Sequence, residues 1–161
     1  MKYLLVAISF FSLFIIDISA SEYEGLVVKV TDGDSVKIKA VEITNTIRLL
    51  YIDAPEKKQD YGIKSKNFLE NLLLNKRVFV VTDKDDRYGR QLADIYIYKN
   101  NEAIYINAKM IKSGNAWVYR KYRSNSYLIN LENHAKINNK GLWGYKNPIE
   151  PCIFRKKCKQ K

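Results

Sequence analysis

A chain of 161 residues is long enough for one domain with a real hydrophobic core. Its 28 Lys and Arg against 17 Asp and Glu leave a net charge of +11, so the partner to expect is a polyanion such as nucleic acid, anionic lipid or acidic glycan, the bland alternative being a solvated basic surface. The single histidine excludes a zinc site built from two or three imidazoles, and a hydrolytic reaction here would have to rest on carboxylates, arginines and a hard metal ion.

Lys2, an uncharged apolar run over residues 4–16 and the small residues Ser19, Ala20 and Ser21 have the layout of a secretory signal peptide. The run is shorter than the roughly 20 apolar residues of a membrane-spanning helix. An uncleaved anchor or a buried helix is the alternative, because Asp17 and Ile18 make the cleavage site imperfect. Cleavage is expected after Ala20, leaving 21–161 as a single secreted domain, extracellular or periplasmic, with no membrane association, no stable protein partner and a monomeric state.

Residues 25–30 are β-branched and apolar and predict a first strand, closed by an Asp-Gly turn at Thr31-Asp32-Gly33-Asp34. Residues 36–41 alternate with period two, Asn45 predicts a second turn, and residues 47–52 read as a central strand. The period changes over 63–74, where Ile63, Phe68, Leu69, Leu72 and Leu73 share one helical face. Strands are predicted at 77–82 and 92–98, then helices at 103–112 and 126–140, followed by Gly114 and Gly141. His134 lies in this polar last helix with no partner motif and reads as an exposed helix residue. Five short strands and three helices predict an α+β domain built on a five-stranded OB-type barrel.

Cys152 and Cys158 could close a small disulfide loop that pins the C-terminus. With no second Cys pair and no nearby His, a metal site there is the weaker reading. The basic tail of Arg155, Lys156, Lys157, Lys159 and Lys161 could hold phosphates, but reads better as a solvated end.

Three segments at predicted strand ends or loops carry residues suited to chemistry. Asp34 and Asp53 would repel if brought together without a cation, a conflict that a hard divalent ion removes. Taken alone, Asp34 reads better as a turn-forming residue of Asp-Gly-Asp. Arg48 and Arg90 offer planar forks that match phosphate oxygens, with structural ion pairs as an equal alternative. Glu56, after Pro55, could take a proton from water, or could be a solvated loop glutamate beside Lys57 and Lys58.

Asp-Gly-Asp-Ser, Arg-Leu-Leu-Tyr-Ile-Asp-Ala-Pro-Glu and Asp-Arg-Tyr-Gly-Arg occur in this order, and together they resemble the staphylococcal nuclease (thermonuclease) family over about residues 23–144. The resemblance implies a calcium-dependent nuclease that hydrolyses phosphodiester bonds of DNA and RNA and leaves 3′-phosphates. It implies Ca2+ ligation by Asp34, Asp53 and the backbone carbonyl of Ala54, with Glu56 as general base and Arg48 and Arg90 as catalytic arginines. Arg87 and Tyr88 match positions that touch the substrate phosphate end, and Trp117 and Tyr119 match an aromatic pair near the bound base. Ala54 stands where the family commonly has Thr, and Trp117 replaces a family tyrosine. The loop between Glu56 and Tyr61 looks shorter than in the staphylococcal enzyme. Two rivals remain: a catalytically silent nucleic-acid-binding OB module, and a cationic secreted protein acting on anionic surfaces. Neither explains Asp34, Arg48, Asp53, Glu56 and Arg90 occurring together.

Overall fold

A computed structural model describes residues 21–159, so the signal-peptide reading over 1–20 lies outside the described residues, as does Lys161. Strand β1 (Glu22–Asp32) turns at Gly33 into β2 (Ser35–Ala40), which turns into β3 (Ile43–Leu49). After a tight corner come the two-residue strand β4 (Ile52–Asp53) and helix α1 (Gly62–Leu73). Strands β5 (Arg77–Asp85), β6 (Gln91–Lys99) and β7 (Glu102–Tyr105) follow, then α2 (Ile106–Lys112) and the short strand β8 (Trp117–Val118). Helix α3 (Ser126–Ile137) and the one-turn helix α4 (Pro151–Phe154) complete the chain.

The main sheet runs β3-β2-β1-β5-β6-β7, and β3 also pairs in parallel with β6, Ile47 opposite Gln91 and Leu49 opposite Ala93. That pairing closes five strands into the mixed barrel expected of the OB class. The interior follows from strand alternation: Val27, Val30, Val36, Ile38, Ile47, Leu49, Val78, Val80, Ala93 and Ile95 are all buried. Leu69 and Leu73 of α1 and Ile106, Met110 and Ile111 of α2 are fully buried in the same core. Each such side chain contributes about 1.5–3 kcal/mol relative to an exposed one. Gly33 is fixed by space, because a Cβ there would overlap Ser65 Oγ of α1. This close approach seats the β1–β2 turn, and Asp34 with it, against the helix.

Three local expectations are corrected. Asn45 does not turn the chain: it sits inside β3 opposite Ile38, and Val41 (φ 53°) makes the turn. Residues 103–105 are not helical either: they belong to β7, paired with Tyr96 to Tyr98 of β6, and the helix starts at Ile106. The predicted strand over 47–52 is broken at Tyr51, whose φ is 68°.

The buried Glu132 of α3 ties the last third of the chain to the barrel. Its carboxylate accepts from Val118 N (2.9 Å) and pairs with Lys136 (2.6 Å) and Arg123 (3.2 Å). Val118 lies in β8, which pairs antiparallel with β4, Trp117 opposite Asp53. Asn107 holds the preceding corner: its side-chain amide donates to Leu50 O (3.0 Å) and Ala93 O (3.1 Å).

Candidate active site

The barrel mouth gathers the end of β1, the start of β2, the end of β3 and β4. Asp34 and Asp53 are both buried, and their carboxylates converge on one guanidinium: Arg48 Nη2 lies 3.0 Å from Asp34 Oδ2 and 3.0 Å from Asp53 Oδ1. The other terminal nitrogen of Arg48 donates to Leu49 O (2.9 Å) and Ile52 O (2.8 Å). Arg48 thus braces the corner between β3 and β4 and keeps two like charges together, leaving its Nε–H outside these bonds. Asp34 is further held by Ala54 N on Oδ2 (2.8 Å) and Ser35 Oγ on Oδ1 (2.9 Å).

Glu56 is half-buried at the rim of this cluster, and Gln59 fixes its backbone by accepting from Glu56 N (3.1 Å). With Asp32, Lys57, Lys58, Phe154 and Arg155 it lines an open cleft of about 380 Å³. Burial, and then the charge of Asp34, push the Asp32 carboxyl up to about 6. Burial also raises the Asp53 carboxyl, against the opposing pull of Arg48 and Arg155.

Arg155 enters the site from the C-terminus, contrary to the reading of the basic tail as a solvated end. Its Nη2 donates to Asp53 Oδ2 (2.8 Å) and its Nη1 to Glu56 Oε1 (2.6 Å). Burial alone would lower its pKa, but the hydrogen bonds and charges of Asp53 and Glu56 outweigh that and raise it. Cys152 and Cys158 are disulfide-bonded around it, with Cα atoms 5.4 Å apart.

The segment 86–90 forms a second, separate cluster on the β5–β6 turn. Arg90 pairs with Asp86 (Nη2 to Oδ2, 2.6 Å), and this pairing outweighs burial to lower the Asp86 carboxyl. The Tyr88 ring lies under both Arg87 (4.9 Å) and Arg90 (5.6 Å) and is well exposed. Arg90 immediately precedes β6, whose Leu92 is the parallel partner of Arg48, so the register sets the two arginines on neighbouring strands.

Trp117 is only 5 % exposed and stacks edge-on against Trp143 (5.2 Å). With Tyr61, Tyr145 and Phe154 it lines a cavity of about 140 Å³ beside the cleft. Tyr119 is on the surface, its ring 6.0 Å from that of Tyr122. Asp32, Gln59 and Arg155 are the site residues that sequence reasoning missed. Asp32 was visible as the first acid of Asp-Gly-Asp, whereas Gln59 and Arg155 carry no motif.

Oxygen donors of this kind suit a hard divalent cation. Among the described residues no three His, Cys, Asp or Glu side chains form a metal-binding group, so any such ion would need backbone oxygen and solvent besides Asp34 and Asp53. The convergence of those two carboxylates on a single cationic nitrogen is the observation that fits it.

Residues 46–145 match the family described as staphylococcal nuclease homologue. An uncharacterized endonuclease of Escherichia coli O157:H7 is 38 % identical over 135 residues, which cover 84 % of this chain and 86 % of that protein. An uncharacterized endonuclease of Haemophilus influenzae is 39 % identical over 131 residues, covering 81 % and 71 % of the two chains. A micrococcal nuclease of Shigella flexneri is 33 % identical over 146 residues, covering 86 % and 84 %.

Proposed function

The chain belongs to the staphylococcal nuclease homologue family, and from that premise we propose that it is a secreted, Ca2+-dependent endonuclease acting on DNA and RNA and leaving 3′-phosphates. The observation that carries this reading is the meeting of Asp34 and Asp53 on one cationic nitrogen, with Glu56 at the rim of the same cleft. Asp34, Asp53 and the Ala54 carbonyl would hold the ion, which when bound supplies positive charge against a phosphate oxygen.

Glu56 accepts the proton of the attacking water. The Arg48 Nε–H and the Arg90 guanidinium donate to phosphate oxygens as charge grows in the transition state, and losing one such donor slows the reaction by about 10²–10³. Arg87 and Tyr88 meet the phosphate end of the substrate, and Tyr119 with the largely buried Trp117 forms the aromatic pair that packs near the base. With few carboxylate ligands, the Ca2+ dissociation constant should fall at about 10⁻⁴–10⁻³ M, as in extracellular modules. Export is supported by the apolar run at 4–16 and by the Cys152–Cys158 bond, since disulfides persist in oxidising compartments. The charge of +11 implies weak sequence selectivity and strong salt dependence.

The test incubates purified protein with single-stranded DNA, duplex DNA or RNA, in Ca2+ or in chelator, beside Glu56→Gln. Cleavage that needs Ca2+ and collapses in the variant is expected. Binding without cleavage at any Ca2+ concentration would make the chain a silent nucleic-acid-binding module.

A further inference from the structure

The geometry points to Arg155 as a resident counter-cation of the carboxylate cleft, one that a divalent ion must displace from Asp53 and Glu56 before the site can work. This rests on the calcium reading above and adds to it a residue beyond the stretch that matches the family.

The C-terminal segment is built to deliver this side chain. Glu150 takes a forked ion pair from Arg120, Nε at 2.9 Å and Nη2 at 2.6 Å, just before α4 begins. Gln59, which also fixes Glu56, donates to Ile149 O. Pro151 and Cys152 are buried, and Arg155 N bonds back to Pro151 O (2.9 Å). The Cys152–Cys158 bond then closes a loop with Arg155 at its middle, tightened by Lys157 N on Cys152 O (3.0 Å). A closed loop loses little chain entropy on placing one guanidinium, which is how pre-organisation favours binding.

The place it occupies decides its effect. Both oxygens of Asp53, a side chain only 1 % exposed, are taken by guanidinium groups: Oδ1 by Arg48 and Oδ2 by Arg155. Glu56 gives Oε1 to the same arginine, so a carboxylate read as a metal ligand and one read as the base are joined by a single positive charge. Asp32, Asp34, Asp53 and Glu56 can bring four negative charges to the cluster; Arg48 and Arg155 pair with three of these carboxylates, and Lys57 and Lys58 line the same cleft. Arg48 is braced by backbone carbonyls, whereas Arg155 sits in the disulfide-closed loop and its guanidinium hydrogen bonds, among the described residues, go to carboxylates. Of the two, Arg155 is the one that can leave.

Ca2+ binding is measured by calorimetry on purified wild type, Arg155→Gln, Arg155→Lys and Asp53→Asn. Arg155→Gln should bind about tenfold tighter, equivalent to about 1.4 kcal/mol, and Arg155→Lys should stay near wild type. Amide hydrogen exchange of residues 150–158, which needs no turnover, should speed up when Ca2+ is added to the wild type. An unchanged or weaker Ca2+ affinity in Arg155→Gln, with Asp53→Asn still weakened, would overturn the displacement alone. Equal Ca2+ binding by wild type and Asp53→Asn would overturn the calcium reading and the displacement with it. Slower exchange of 150–158 in Ca2+ would show the loop clamping onto the filled site, the opposite of displacement.

Discussion

Arg48→Met removes the charge that holds Asp34 and Asp53 together while keeping most of the side chain's volume. In the wild type the Arg48 side chain is 14 % exposed and its partners 9 % and 1 %, so the contacts are shielded from solvent. Breaking such a pair from one side costs about 3–5 kcal/mol, because it strands the remaining charges. An unfolding entropy of about 2.1 cal/mol/K per residue gives roughly 0.3 kcal/mol/K for a domain of this size. The expected fall in Tm is therefore about 10–15 °C, measured by scanning calorimetry at pH 8 in chelator. The loss should shrink at pH 4, where one carboxyl can take a proton and end the repulsion. Ca2+ at about 100 times its Kd should raise the Tm of any form that binds it by the equivalent of about 2.7 kcal/mol, so the loss shrinks in Ca2+ only as far as the variant binds the ion more tightly than wild type. A variant that melts within about 2 °C of wild type in chelator at pH 8 would refute the argument, for it would mean that Arg48 is not what reconciles the two acids.

Glu132→Ala should lower Tm by about 10 °C, since it strands the buried Val118 N–H and removes a charge-assisted bond, each worth about 1–3 kcal/mol. Glu132→Gln, which can still accept from that N–H, should lose less than half as much, and equal losses would locate the effect in the ion pairs instead. For Asp32, the folded carboxyl titrates at about 6 and the unfolded one at 3.8, so between these values the folded state holds a proton that the unfolded state has released. Its contribution to stability in chelator is thus present below pH 3.8 and lost as pH rises through about 6. Asp32→Asn should flatten that part of a Tm profile from pH 4 to 7, and a profile parallel to wild type would contradict the assignment.

The barrel was legible because its strands alternate: Val36 and Ile38 against Lys37 and Lys39 can bury only one face. Asn45 misled because its turn preference is local, whereas pairing with Ile38 and a bond to Tyr23 OH (3.4 Å) are tertiary. Residues 103–105 misled because a short apolar run fits a strand edge as well as a helix start. In the site, Asp34, Arg48, Asp53 and Glu56 stand within one meander and its next loop, so local motifs reveal them. Arg155 could not be read this way: it meets Asp53 and Glu56 across 102 and 99 residues, and a basic tail looks the same whether it is solvated or docked. Glu132 hid likewise, since a polar helix does not announce that its single acid is buried.

The parallel seam between β3 and β6 has a consequence in time. A chain made from its N-terminus presents β1, β2 and β3 first, but β1 gains its second neighbour only with β5, and β3 only with β6. Through that interval both outer strands show unpaired backbone groups able to add a foreign strand. Contacts between distant segments also form late in folding. The nascent chain is therefore most open to wrong pairing between the completion of β3 and the arrival of β6, and a factor that shields extended chain would help it most in that window.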